Sequence, residues 1–393
     1  MILKRIKKNR LEFNFKEFLQ SQQASGIILI FCTIISLSIS NSPLHEWYHH
    51  IWHIRIAVIV GHLNLDYPLH HWVNDCLMAI FFLFVGLEIK REMLVGELSD
   101  IRSAILPVAV ALGGMIVPAG IYSLFNYGKD TISGFGIPMA TDIAFALGAL
   151  SLLGNKVPVN LKIFLTALAV IDDLGAIVVI ALFYGGHFNL HYFILWIIVF
   201  FILLFLNKIK VNSMFIYLGL GIVLWYLIMQ SGIHATIAGV LLAFTIPFQS
   251  KGEDESLSSK LEHQLIQPVN FIIMPIFALS NTAISLNTSV IQNINWDVTL
   301  GIFFGLIVGK VIGIFSFTYF CVKFKLFNLP DGVKWKHVIG MGFLAGIGFT
   351  MSIFVTNLAF VDENLVDIAK IIIIITSTAA GFLGYIFLKF TKA

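Results

Sequence analysis

The sequence predicts an all-α polytopic membrane protein, and three observations lead there. Of its 393 residues, 58% are hydrophobic and only 12% are charged, against about 25% charged in a soluble domain. Mean hydropathy is +0.90. Apolar stretches approaching the roughly 20 residues needed to cross a bilayer recur along the whole chain.

Twelve such stretches can be marked out: 24–41, 73–92, 103–125, 134–153, 161–184, 191–207, 213–229, 231–247, 268–285, 297–321, 337–360 and 367–388. The one at 231–247 is short, and Ser231-Gly232 at its start suggests a tight turn. An even count places both termini on one side. That side then carries twenty-one of the 25 Lys and Arg residues, six of them in the tail (Lys4, Arg5, Lys7, Lys8, Arg10 and Lys16). Arg55 and Lys129 fall on the other side, Lys370 lies at the mouth of the last stretch, and Lys310 lies inside one. The positive-inside rule makes the basic side cytoplasmic. Residues 1–23 are basic and lead into no A-x-A cleavage site, so they read as a retained cytoplasmic tail. The chain 1–393 thus reads as one integral membrane domain. Its basic residues follow topology, which leaves the net charge of +3 without meaning for nucleic acid. Cys32, Cys76 and Cys321 lack metal-type spacing and read as packing residues.

Between the first two stretches, "RIAVIVGHLNLDY" (55–67) alternates apolar and polar residues around Gly61-His62. It predicts a small external β-hairpin. Its open edge suits either a plain surface hairpin or pairing with a second copy.

Charge inside the membrane carries the chemistry. Asp142, Asp172, Asp173 and Lys310 fall near mid-stretch. Four unpaired charges facing lipid would cost roughly 10–14 kcal/mol together, so they must face an interior or a water-filled cavity. A structural salt bridge needs one acid and one lysine. Three acids against one lysine leave two negative charges for protons or a metal cation to balance. Carboxylate oxygens suit hard cations. Adjacent residues on a helix point about 100° apart, so Asp172 and Asp173 cannot ligate one ion equally. Burial and neighbouring charge set their proton affinity, and the two titrate as a unit. Such a site holds protons or a cation, not both at full occupancy, and alternating access turns that competition into exchange.

Two stretches are interrupted. "GFGIPMATDIAFALGALSLL" carries Pro138 four residues before Asp142, and proline cannot continue a regular helix. "HVIGMGFLAGIGFTMSIFV" carries Gly340, Gly342, Gly346 and Gly348 before Thr350. Each is the middle of a three-span group, spans 3–5 and spans 10–12, and the two groups run in opposite senses. The prediction is an inverted repeat whose two discontinuous helices cross at mid-membrane, the sequence pointer to a transporter site. Asp142 and Lys310 would neutralise the facing half-helix ends.

The motifs "FFLFVGLEIKREM" (81–93), "PMATDIAFALG" (138–148), "LTALAVIDDLGAIVVIALFY" (165–184), "SGIHATIAGV" (231–240), "LEH" (261–263) and "GIGFTMSIF" (346–354) resemble the NhaA family of bacterial sodium/proton antiporters. The resemblance spans nearly the whole chain. It implies a secondary antiporter, not an enzyme, in the bacterial inner membrane, with no cofactor. It further implies electrogenic exchange of Na+ or Li+ for H+ and a homodimer joined through the hairpin. Asp173 would be the primary sodium ligand and Asp172 would pair with Lys310 in the empty site. Thr141 and Asp142 would lie at the helix crossing, and Asp75 also matches a family acid. Glu88, Lys90, Arg91, Glu92, Glu262 and His263 would form a cytoplasmic cluster linked to pH activation, with His234 shaping the pH profile. One slot departs: Ile266 stands where relatives often carry a histidine.

Blander readings stand beside these. His234 also suits a plain hydrogen-bonder at a membrane interface. Lys90 and Arg91 at a helix end also suit snorkelling anchors. A sodium-coupled symporter of an organic anion is the rival function, and the surplus of acids argues against it. A passive channel does not require buried protonatable acids. No G-x-x-x-x-G-K-[ST] motif is present, which argues against a nucleotide-driven pump.

Overall fold

The computed structural model describes residues 22–60, 63–96, 98–186, 188–248, 256–285 and 294–391. Residues 1–21 of the expected cytoplasmic tail and the expected turn at Gly61-His62 lie outside the described residues.

Helix α1 (Gln22–Ser40) and α2 (His45–His53) lie at 114° to each other. Strands β1 (Arg55–Val60) and β2 (Leu63–Pro68) follow as an antiparallel pair, with Arg55 opposite Pro68 and Val60 opposite Leu63. The remaining elements are helical: α3 (Leu69–Leu94), α4 (Ile101–Phe125), α5 (Asp130–Ser151), α6 (Val159–Phe183), α7 (Leu190–Lys208), α8 (Met214–Gln230) and α9 (Ile237–Thr245). Helix α10 (Leu257–Pro268) passes through a π turn at Val269–Ile273 into α11 (Met274–Asn281). Then come α12 (Trp296–Lys323), α13 (Trp335–Ala345), α14 (Phe349–Ala359) and α15 (Glu363–Phe390).

Among the described residues, seven helices are long and apolar enough to cross a membrane, or nine if each bent pair counts as one span. Helix α7 buries only Leu203, while Ile194, Ile198, Phe201 and Phe205 are exposed along its length. An apolar helix with such an outward face is at home against hydrocarbon.

Three elements depart from the sequence reading. Helix α2 was not foreseen, because four histidines and a glutamate hide its short amphipathic pattern. Its Tyr48 is buried, and the hydroxyl hydrogen-bonds Ser36 Oγ (3.0 Å) and donates to Leu279 O (2.9 Å). The stretch at 231–247 forms only the nine-residue α9, since residues 231–236 are turns with Gly232 at φ +86°. Lys370 is not at the mouth of its helix but seven residues inside α15, which begins at Glu363.

Packing explains how the site is held. Gly305, Gly309 and Gly313 recur every fourth residue of α12, a small-residue stripe that lets backbones approach. A Cβ on Gly309 would stand 2.8 Å from Pro118 Cα, and one on Gly313 would stand 2.2 Å from Gly113 O. Helices α12 and α4 therefore touch backbone to backbone. Gly305–Gly309 is itself a π turn, and it delivers Lys310 directly after it. Helix α5 breaks at Ala140-Thr141-Asp142, between a 3-10 segment (Asp130–Met139) and a regular half (Ile143–Ser151). Helices α13 and α14 are separated by Gly346-Ile347-Gly348 and bent by 48°. The two breaks cross: Asp142 N–H donates to Ile347 O (2.7 Å), and Ser352 Oγ donates to Ile137 O (2.7 Å).

Candidate ion site

The crossing gathers the buried charges. Asp142 is the N-cap of the second half of α5, and its Oδ1 accepts from Phe145 N (3.2 Å). Its Oδ2 accepts from Thr350 N (3.2 Å) and from the Thr350 hydroxyl. Thr350 lies in the first turn of α14. Asp142 thus places its charge where two helix N-termini converge, and each N-terminus favours an anion.

Lys310 and Asp172 are both completely buried, with Nζ 2.6 Å from Oδ2. Lys310 also donates to Thr141 Oγ1 (3.0 Å). The Thr141 hydroxyl lies 2.8 Å from both Asp172 Oδ2 and Ala345 O, the carbonyl ending α13. It has one proton for those two acceptors. Asp172 Oδ1 and Asp173 Oδ1 have no hydrogen-bond partner.

A cavity of about 430 Å³ meets Asp173 and not its neighbour Asp172. Asp173, Asp142 and Thr350, all buried, are part of its lining; Asp172 and Lys310 are not. The roughly 100° between successive helical side chains explains the split: one acid meets the cavity and the other meets lysine. Glu88, Arg91 and Glu262 line the same cavity. Arg91 bridges Glu262 (2.9 Å) and Glu92 (3.0 Å). Glu262 lies on α10; its burial pushes the carboxyl above the usual range, while the Arg91 guanidinium pulls it back. Among the described residues, no three His, Cys, Asp or Glu side chains gather closely enough to hold a metal ion. The oxygens of Asp173, Asp142 and Thr350 are instead two carboxylates and a threonine hydroxyl.

The residues grouped by sequence as a pH cluster divide in space. His263 is exposed and is absent from the cavity wall. His234 precedes α9 with its ring 5.5 Å from Phe354 and its Nε2 unpartnered. Asp75 lies in the π turn Val73–Leu77 and pairs with His71 Nε2 (3.1 Å). Lys90 is no snorkelling anchor. It is buried and donates to Ala243 O (3.2 Å), Phe244 O (3.0 Å) and Ile246 O, capping the C-terminal carbonyls of α9. Thr350 went unnamed as a site residue, although "GFTMS" placed it just after the glycine break.

A buried, unevenly shared pair of acids on a frame of broken helices, reached by a cavity, defines an ion-coupled secondary transporter. The sequence profile of the Na+/H+ antiporter 1 family matches residues 16–388. The chain is 50% identical over 376 residues to the Na(+)/H(+) antiporter NhaA of Flavobacterium psychrophilum, covering 96% of each chain. It is 52% identical over 384 residues to that of Dechloromonas aromatica, covering 97% of each. Among solved structures it resembles the sodium proton antiporter MjNhaP1 from Methanocaldococcus jannaschii at pH 8, with a TM-score of 0.54 over 92% of each chain. At 13% identity that likeness shows the fold alone. The chain belongs to the Na+/H+ antiporter 1 family and is a multi-pass membrane protein. The symport alternative is left without support.

Proposed function

We propose that the chain exchanges sodium for protons by alternating access, with Asp173 as the cation's primary ligand. The observation that carries this is the division of the acids: the cavity meets Asp173, Asp142 and Thr350, while Lys310 holds Asp172. A cation arriving through the cavity meets Asp173 and Asp142. It draws Asp172 away from Lys310, and the proton on Asp173 and the one on the unpaired Lys310 ammonium leave. Protons returning from the other side displace the cation and restore the ion pair. Two protons, one from Asp173 and one from the Lys310 ammonium, leaving for one cation makes the exchange electrogenic. Lithium, a smaller hard cation, suits the same oxygens.

The wider frame belongs to the same reading. The chain 1–393 forms one domain of twelve spans, in which α8, α9 and the segment from Pro268 through α11 complete the crossings that length alone does not count. The groups α4–α6 and α12–α15 form an inverted repeat crossing at the midplane. Both termini face the cytoplasm of a bacterial inner membrane, as the Lys and Arg distribution supports. Glu88, Arg91, Glu92 and Glu262 form the cytoplasmic funnel and its pH sensor, with His263 beside it and His234 acting from the far side of Phe354. The open edge of the β1–β2 hairpin joins two copies into a homodimer.

The test uses everted vesicles acidified by respiration. Added sodium or lithium should dissipate the proton gradient with the parent chain and not with Asp173→Asn. Exchange at parental rates by a well-expressed Asp173→Asn protein rejects the assignment.

A further inference from the structure

The cavity's lining runs from exposed Gln267 and half-exposed Arg91 to buried side chains, so something must close its buried end. Phe81 on α3, Met274 on α11 and Met351 on α14 line it. Six or seven residues further along each of these helices, at about 1.5 Å per residue, stands an asparagine. Asn357 Nδ2 donates to Asn281 Oδ1 (2.6 Å), and Asn281 Nδ2 donates to Asn74 Oδ1 (2.9 Å) and to Phe277 O (3.1 Å). Asn281 is buried, whereas Asn74 and Asn357 are partly exposed. Between this chain of amides and the cavity lies an apolar layer centred on Phe354, which is completely buried. Its ring lies 5.5 Å from Phe82, 6.3 Å from Phe277 and 5.5 Å from His234.

We propose that Asn74, Asn281 and Asn357 form a latch closing the outer end of the transport passage, with Phe354 as the plug beneath it. The inference rests on the alternating-access reading, which requires an outer seal that opens once per cycle. Apolar contacts alone would close the passage, but opening them exposes bare hydrocarbon to water. Amide hydrogen bonds trade one partner for a water molecule with little enthalpic loss, so a seal of amides is reversible. The three amides also come from three different helices, so parting any two opens the latch. Helix α14 ties the latch to the ion site. Thr350, Phe354 and Asn357 follow at spacings of four and three, along one face of that helix. Thr350 bonds Asp142, so a displacement of α14 at the site carries plug and latch with it.

Impermeant thiol labelling tests this in proteoliposomes of known orientation. The reporter is Met274→Cys on the cavity wall, in a background with Cys32, Cys76 and Cys321 replaced by alanine. Labelling from the cavity side should be fast and labelling from the outer side slow. Asn281→Ala and Asn357→Ala should each speed outer labelling about tenfold, the factor equal to about 1.4 kcal/mol, with cavity-side labelling unchanged. Outer labelling that stays slow in both variants overturns the latch. Equal acceleration from both faces also overturns it, because that marks general loosening. No ion gradient is applied, so a chain that moved no sodium would still report on the latch.

Discussion

Replacing Lys310 with methionine tests whether the Asp172–Lys310 contact is an energetic pair. Nζ lies 2.6 Å from Asp172 Oδ2, and neither side chain is exposed. Without the ammonium, Asp172 retains only the Thr141 hydroxyl, since its Oδ1 already lacks a partner. Methionine keeps most of the lysine stem, so the cavity penalty is small. Stranding one partner of a buried ion pair costs about 3–5 kcal/mol. At about 2 °C per kcal/mol for a large chain, the melting midpoint should fall by about 6–10 °C. The assay is thermal unfolding of the purified protein in detergent, followed by tryptophan fluorescence. The double variant Lys310→Met/Asp172→Asn removes both charges and should recover more than half of the loss, as coupled neighbours do. A single variant that melts with the parent, or a double variant no better than the single, would show that the pair is not held as drawn.

Two further outcomes follow from the cavity wall. Removing Arg91 leaves the burial of Glu262 opposed by one charge fewer, so its carboxyl moves further up and loses its proton at higher pH. With Glu262 in the sensor, Arg91→Ala should shift the exchange-rate profile towards alkaline pH, and Glu262→Gln should flatten it; an acid shift in Arg91→Ala excludes that role. Lys90→Met removes a charged donor from three carbonyls at the end of α9. Hydrogen bonds to a charged group contribute about 1.5–3 kcal/mol, so amide exchange in Val240–Thr245 should rise about 10- to 100-fold, and unchanged exchange would mean that the cap adds nothing.

Much of the frame was legible because membrane physics writes it in large letters. Apolar length, the hairpin's alternation at 55–67, Pro138 and the glycines of 340–348 all mark features with local causes. The buried charges stood out because lipid penalises them. What stayed hidden depends on partners distant in sequence. Lys90 looked like a surface anchor because its three carbonyls lie more than 150 residues away. Asn74, Asn281 and Asn357 are ordinary polar residues until the fold puts them in line. The π turn at Gly305–Gly309 has no signature of its own, although the glycines at 305, 309 and 313 announced a close helix contact in plain sight. The unequal placement of Asp172 and Asp173 was legible in the roughly 100° between neighbouring helical side chains; which acid would take the cation was implied only by resemblance.

Asp142 has one more consequence, for speed. Its carboxylate already receives two backbone amides and a hydroxyl. In the proposed cycle a visiting cation shares those oxygens with their hydrogen-bond donors. The well it falls into is shallow, and shallow wells empty quickly. A site must attract strongly enough to fill and weakly enough to let go. With Asp142 as a ligand in the proposed cycle, spending most of its charge on the scaffold would shorten the time the cation lingers, trading tightness of grip for rate of turnover.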